Sequence, residues 1–146
     1  MNLVHKIENW GDRHHPKFLD LVRIALGVFL LLKGIAFMEN TTSLKDLILD
    51  QQALYISAGL LTALVYYVTF AHIVGGTLIM LGTFTRFASI IQIPIVLAAV
   101  FLTGFFISPL NTMVWPSVVA LVLLVLFTVI GSGPVSLDNF VSKMEM

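Results

Sequence analysis

A small set of side chains lies in otherwise apolar sequence and has the chemistry to bind a ligand or move a proton. His72 is the most informative, because imidazole titrates near neutral pH. The other candidates are Arg23, Lys33, Glu39, Tyr66, Tyr67 and Gln92. Their spacing matches no self-contained catalytic or metal-binding pattern, so we predict ligand-binding candidates and no metal site, and we assign no catalytic role to any residue.

His72 is predicted to lie at the middle of a membrane-spanning helix. It precedes Gly82 by ten residues, which is about 15 Å at helical rise. Thr69, Gly75 and Gly76 share its helical face, and such small residues typically pack against other helices. The favoured interpretation is a hydrogen bond across helices, and Gln92 is the nearest candidate partner. The alternative is contact with a quinone, a proton or another small molecule.

Arg23 is predicted to face other helices. Gly27 and Gly34 lie on nearly the same face, and glycines mark places where helices approach closely. Asp20, three residues earlier, is in reach of its guanidinium. The alternative is that Arg23 extends to the lipid headgroups.

The remaining candidates have ordinary interpretations as well. Lys33 is more typical of a lysine that extends to the headgroups, and Glu39 of a carboxylate in a loop. A functional pair of the two residues is the less favoured interpretation. Tyr66 and Tyr67 are typical of aromatic residues at a membrane surface. If the tyrosines point inward, they line a pocket in the outer half of the membrane together with Lys33.

The distribution of charge predicts an integral membrane protein. After Arg86, 51 residues pass without Asp, Glu, Lys, Arg or His, whereas a soluble domain needs a charged surface. Mean hydropathy is +0.99 and 58% of residues are hydrophobic. The formal net charge of zero gives no indication of nucleic-acid binding. The absence of cysteine excludes thiol redox chemistry and thiolate-held iron–sulfur clusters within the chain.

We predict an all-α membrane protein, a four-transmembrane-helix bundle. The predicted crossings are 18–38, one within 53–81, 87–107 and 113–130, with a tight turn at 82–86. Residues 1–17 form a cytoplasmic N-terminal segment whose Leu3, Val4, Ile7 and Trp10 permit a surface helix, and 132–146 form a cytoplasmic tail. An even number of crossings places both termini on the side of Lys6, Arg13, Lys17, Arg86 and Lys143, opposite Lys45. The positive-inside rule makes that side cytoplasmic.

The order of these features resembles the DoxX family of small bacterial membrane proteins. The similar segments are LVRIALG at 21–27 followed by Lys33 and Gly34, AHIVGG at 71–76, LGTFTR at 81–86 and GSGPVSLD at 131–138. Many relatives have glutamate at the position of His72, so acid chemistry common to the family does not carry over to this chain.

The resemblance implies a location in the bacterial inner membrane and a place in a membrane redox complex. The family takes its name from a subunit of a thiosulfate:quinone oxidoreductase, and no set of catalytic residues carries over from it. The expected function is that of an accessory or quinone-contacting subunit, with lipid and other membrane subunits as partners. No intrinsic cofactor is expected, and any activity belongs to the oxidoreductase complex. The alternative is a non-enzymatic scaffold that stabilises other membrane proteins.

Overall fold

The computed structural model describes residues 17–50, 57–102, 115–133 and 136–144. The regular structure of these ranges is helical, and no strand occurs among them. The helices are α1 (Lys17–Glu39), α2 (Thr41–Asp50), α3 (Ala58–Leu81), α4 (Thr85–Leu102), α5 (Trp115–Ile130) and α6 (Leu137–Met144). The all-helical prediction is therefore confirmed for the part of the chain that the structure describes.

Two helices, α1 and α3, are long and apolar enough to cross a bilayer, with 23 and 24 residues. They correspond to the first and second predicted crossings. Helices α4 and α5 coincide with the third and fourth predicted crossings but have 18 and 16 described residues. The proposed N-terminal surface helix and the start of the second crossing lie outside the described residues, as do the end of the third crossing and the first two residues of the fourth.

Helices α1 and α3 pack with their backbones in contact, which only glycine permits. A Cβ atom placed on Gly27 would lie 2.5 Å from the backbone nitrogen of Met80 and 2.7 Å from the carbonyl oxygen of Gly76. A Cβ placed on Gly76 would lie 2.7 Å from the backbone nitrogen of Leu31. Small residues at such crossings let dispersion forces act between backbones, which is how helices associate where lipid removes the hydrophobic driving force.

A buried apolar cluster joins both long helices to α4 and α5. Its members are Leu26, Leu30, Ile79, Ala88, Val96, Ala120, Leu124 and Phe127. Because these residues come from α1, α3, α4 and α5, the described parts of the four helices share one core. This core holds the polar candidates of α1, α3 and α4 in fixed positions relative to one another.

The turn between α3 and α4 is shorter than the sequence predicts. Gly82 takes the left-handed conformation with φ 72°, and its N–H donates to the carbonyl of Ile79. The next N–H, of Thr83, donates to the carbonyl of Leu78 at 3.0 Å, so the helix ends in a Schellman-type cap. Thr85 and Arg86, predicted as turn residues, are the first residues of α4. The tight cap thus brings α4 back antiparallel to α3.

Candidate functional site

Arg23 lies inside the protein rather than in the headgroup region. Its exposed fraction is 1% and that of Asp20 is 2%. The Arg23 Nη1 donates to the Asp20 Oδ1 across 3.2 Å. The inward-facing prediction for Arg23 is confirmed. A charge in this position is tolerated because a carboxylate one helical turn away neutralises it.

The Arg23 guanidinium packs on the turn that ends α3. A Cβ placed on Gly82 would lie 2.9 Å from Arg23 Nη1 and 2.6 Å from the Cβ of Ser136. Arg23, Gly82 and Ser136 therefore meet at one end of the bundle, although they lie far apart in sequence. Ser136 is buried, and its hydroxyl donates to the Gly133 carbonyl at 2.8 Å.

A second arginine, Arg86, follows the Gly82 turn at the start of α4 and binds the end of α5. The Arg86 Nη2 donates to the Val129 carbonyl at 3.4 Å. A Cβ placed on Gly131, where φ is 87°, would lie 2.9 Å from the Arg86 Nε. Each arginine thus packs on a left-handed glycine that follows a helix. The segments that carry the family resemblance at 21–27, 81–86 and 131–138 consequently contact one another and serve to close this end of the bundle.

His72 faces into the bundle, as predicted, and is only 5% exposed; the helix that it packs against is α1. Its ring meets the Phe37 ring edge to face at 5.3 Å, and its Cβ would lie 3.0 Å from a Cβ on Gly34. The expected hydrogen bond across helices is replaced by one within α3. The Nδ1 lies 3.0 Å from the Val68 carbonyl oxygen, so Nδ1 carries the proton that this bond requires.

Gln92 bonds to the α3 backbone instead of to the His72 ring. Its Nε2 donates to the Ala71 carbonyl at 2.6 Å, and its side chain is fully buried. A Cβ placed on Gly75 would lie 2.5 Å from the same Nε2. Gly75 therefore leaves the space through which an amide of α4 reaches a carbonyl of α3. Gln92 thus joins α4 to α3 at the residue before His72, and no hydrogen bond between Gln92 and the imidazole occurs in the described structure.

Helix α4 carries two further buried polar residues that the sequence reasoning did not identify. Thr85 and Ser89 share the face of Gln92 at i, i+4 and i+7 spacing, and all three are at most 1% exposed. The two hydroxyl oxygens and Gln92 Oε1 have no hydrogen-bond partner among the described residues. The sequence pattern that could have identified them is the occurrence of three polar residues at helical spacing in an otherwise apolar segment.

The other candidates lie at the surface. Tyr66 and Tyr67 are 61% and 54% exposed, so they do not line an inward pocket. Lys33 is exposed with its Nζ 5.6 Å from the centre of the Phe29 ring, and Glu39 is also exposed. No ion pair between Lys33 and Glu39 occurs in the described structure. This arrangement agrees with the ordinary interpretation of these residues.

An apolar groove of about 620 Å³ lies between α1 and α5. Val22, Leu26 and Phe29 line one side and Trp115, Val119 and Leu123 line the other. The polar candidates are not among its lining residues. A hydrocarbon chain fits this chemistry, whereas a charged or strongly polar ligand does not. Among the described residues no group of three or more His, Cys, Asp or Glu is placed to hold a metal ion.

These features define a small helical protein of the membrane, with two helices of spanning length and with Arg23, His72 and Gln92 each hydrogen-bonded within the protein. The family model DoxX matches residues 18–105, which is more than half of the chain, and the chain belongs to the DoxX family. The match includes α1, α3 and α4 and therefore the glycine contact, Arg23, His72 and Gln92. Comparisons with curated proteins and with solved structures give no match.

Proposed function

We propose that the protein is a four-span accessory subunit of a redox complex in the bacterial inner membrane, and that it supports this complex through its helix surfaces. The observation that carries the proposal is that the buried candidate residues make their hydrogen bonds within the protein. Arg23 binds Asp20, His72 binds the Val68 carbonyl, and Gln92 binds the Ala71 carbonyl. Each of these contacts is made within the protein, and each stabilises the helices that it joins or terminates.

The four-span arrangement is supported by the lengths of the helices and the surrounding sequence. Helix α4 with 18 residues covers about 27 Å at helical rise, close to the ~30 Å of a bilayer core. Residues 103–114 of the sequence, which follow α4, contain no charged residue. Helices α4 and α5 share the apolar core with α1 and α3, so we propose the same environment for all four.

The topology follows from this arrangement and from the placement of the basic residues. Because the chain has no cysteine, a single introduced cysteine reports its own side of the membrane. In intact cells, Lys45→Cys is expected to react with a membrane-impermeant thiol reagent, and Lys143→Cys only after lysis. The opposite pattern would contradict the proposed orientation, and reaction at both positions before lysis would contradict the even number of crossings.

The exposed helix faces are the surfaces on which a partner subunit would pack. Large apolar side chains are exposed along α5, including Val119, Val122 and Val125. Such faces suit lipid and apolar helices equally, and the partner is inferred from family membership together with the use of the polar groups. Purification of the tagged protein in a mild detergent tests this step. Oxidoreductase subunits in fixed stoichiometry are the expected result; elution of the protein alone, while other membrane complexes stay intact, would contradict the proposal.

Contact with a quinone is a second candidate function, and the groove between α1 and α5 favours it. The apolar lining suits the isoprenoid chain of a quinone, whereas the groove supplies no charged group for the quinone ring. A photoreactive quinone with an isoprenoid chain is expected to label the groove residues. Ala25→Phe places a ring in the groove and is expected to abolish labelling, whereas Leu32→Phe on the exposed face of the same helix leaves it unchanged. Equal labelling of both variants would exclude this candidate.

A further inference from the structure

Helix α6, in the segment predicted as a cytoplasmic tail, has an apolar side that the described structure leaves uncovered. Leu137, Phe140, Val141 and Met144 are 42%, 59%, 47% and 68% exposed. Their i, i+3, i+4, i+7 spacing places them on one side of the helix. The polar residues of the segment, Asp138, Asn139, Ser142 and Lys143, occupy the remaining positions. An eight-residue helix is marginal in water by itself, so this side requires an apolar environment.

The start of α6 is fixed at the level where α3 ends. The Phe140 N–H donates to the Ser136 carbonyl at 3.1 Å, which opens the helix. Ser136 itself is buried against Gly82, the residue that terminates α3. Because α3 is long and apolar enough to span the bilayer, its end lies close to a membrane surface. Helix α6 therefore begins at that surface.

The neighbouring surface of the bundle is apolar as well. Phe84 in the turn after α3 is 71% exposed, and Leu81 in the last turn of α3 is also exposed. Ser136, the residue before α6, packs against Gly82, which lies between Leu81 and Phe84 in the sequence, so α6 begins at the same end of the bundle as these apolar side chains.

We propose that α6 lies along the membrane surface, with Leu137, Phe140, Val141 and Met144 inserted at the boundary between headgroups and acyl chains. Lipid is the occupant that these observations favour, because the end of α3 fixes the depth of the helix. Asp138 and Lys143 carry opposite charges, so attraction to anionic lipid is not the driving force. The driving force is the burial of apolar surface, so the binding of α6 to the membrane should be insensitive to lipid charge.

Fluorescent labels on single cysteines test this placement in vesicles that contain only the full-length protein. Phe140→Cys and Val141→Cys carry an environment-sensitive label on the apolar side, and Lys143→Cys carries it on the polar side. Gel filtration selects folded protein before reconstitution. Brominated acyl chains are expected to quench the labels at 140 and 141, whereas aqueous iodide is expected to quench the label at 143.

The same pattern is expected in phosphatidylcholine vesicles and in vesicles that also contain phosphatidylglycerol. Equal iodide quenching at all three positions would overturn the proposal. Shielding of 140 and 141 only in native membranes would also overturn it, since the cover would then be a protein. Quenching that requires phosphatidylglycerol would overturn the mechanism based on apolar burial. Since no partner subunit is present, the outcome is independent of the proposed role in a redox complex.

Discussion

The contact between α1 and α3 should be disrupted by a single methyl group at Gly27. A Cβ at this position would lie 2.5 Å from the Met80 nitrogen and 2.7 Å from both the Met80 Cα and the Gly76 oxygen. All three atoms belong to the backbone, so no side chain can move aside. To restore an ordinary contact of 3.4 Å, the two helices must separate locally by about 0.9 Å.

The expected cost of Gly27→Ala follows from this overlap. Overpacking of a well-packed interior typically costs about 1–3 kcal/mol, which lowers the ratio of folded to unfolded protein about 5- to 150-fold. Alanine has the higher intrinsic helix propensity, by about 1 kcal/mol in water. Any observed loss therefore arises despite a local preference for the variant.

Gly59→Ala in the first turn of α3 provides the matched control. Among the described residues, and apart from the backbone of its own helix and its two chain neighbours, no atom would lie within 4 Å of a Cβ at Gly59, so the variant is expected to be as stable as the wild type or slightly more stable. Steric trapping in detergent measures the free energy of unfolding, and the absence of native cysteine allows the two biotin labels to be placed freely. If Gly27→Ala is as stable as Gly59→Ala, the backbone contact does not hold the two helices together.

Two further predictions concern the buried polar groups. Gly75→Ala should lower stability by about 1–3 kcal/mol, because its Cβ would lie 2.5 Å from Gln92 Nε2, and the buried amide can move aside only by losing its hydrogen bond to the Ala71 carbonyl. Adding Gln92→Ala should remove this clash, so the double variant should be less destabilised than the two single effects combined, and strict additivity would contradict the contact. Arg23→Leu should cost about 3–5 kcal/mol, because it breaks the buried ion pair between Arg23 and the Asp20 carboxylate. Lys17→Leu, an exposed change on the same helix, should be nearly neutral in the same unfolding assay, and an equally small effect at Arg23 would support the headgroup interpretation.

The sequence was sufficient to predict where polar side chains in the long helices point. Arg23 shares a face with Gly27 and Gly34, and His72 shares one with Gly75 and Gly76. Helical spacing therefore predicted that both side chains face other helices, and their burial confirms it. This inference needs only the geometry of a single helix.

The hydrogen-bond partner of Arg23, Asp20 in its own helix, follows from the same spacing, but those of His72 and Gln92 could not be predicted in this way. His72 bonds to Val68 of its own helix, whereas Gln92 reaches across to Ala71. A partner depends on which helices adjoin and at what distance, and here the missing side chain of Gly75 decides that distance. The spacing of residues within one helix carries no information about how closely another helix approaches it.

The ends of helices were harder to predict than their central parts. Thr85 and Arg86 were predicted in a turn, yet both are helical, because Gly82 and Thr83 complete the cap of α3 within two residues. Helix α6 was missed altogether. It has eight residues and a single apolar side, too short a pattern to distinguish from a polar terminus before the contact of Ser136 with Gly82 is known.

The central claim is that the protein supports a redox complex without supplying a group that reacts. The most direct measurement compares His72→Gln with the wild type in a strain that lacks the native copy. Quinone-dependent activity is measured per assembled complex, after purification in mild detergent. The activity per complex is expected to be unchanged, because an amide can donate the hydrogen bond that His72 gives to the Val68 carbonyl. Loss of activity in a complex that assembles in normal amount would contradict it, since glutamine fills the site but does not titrate in the range of imidazole.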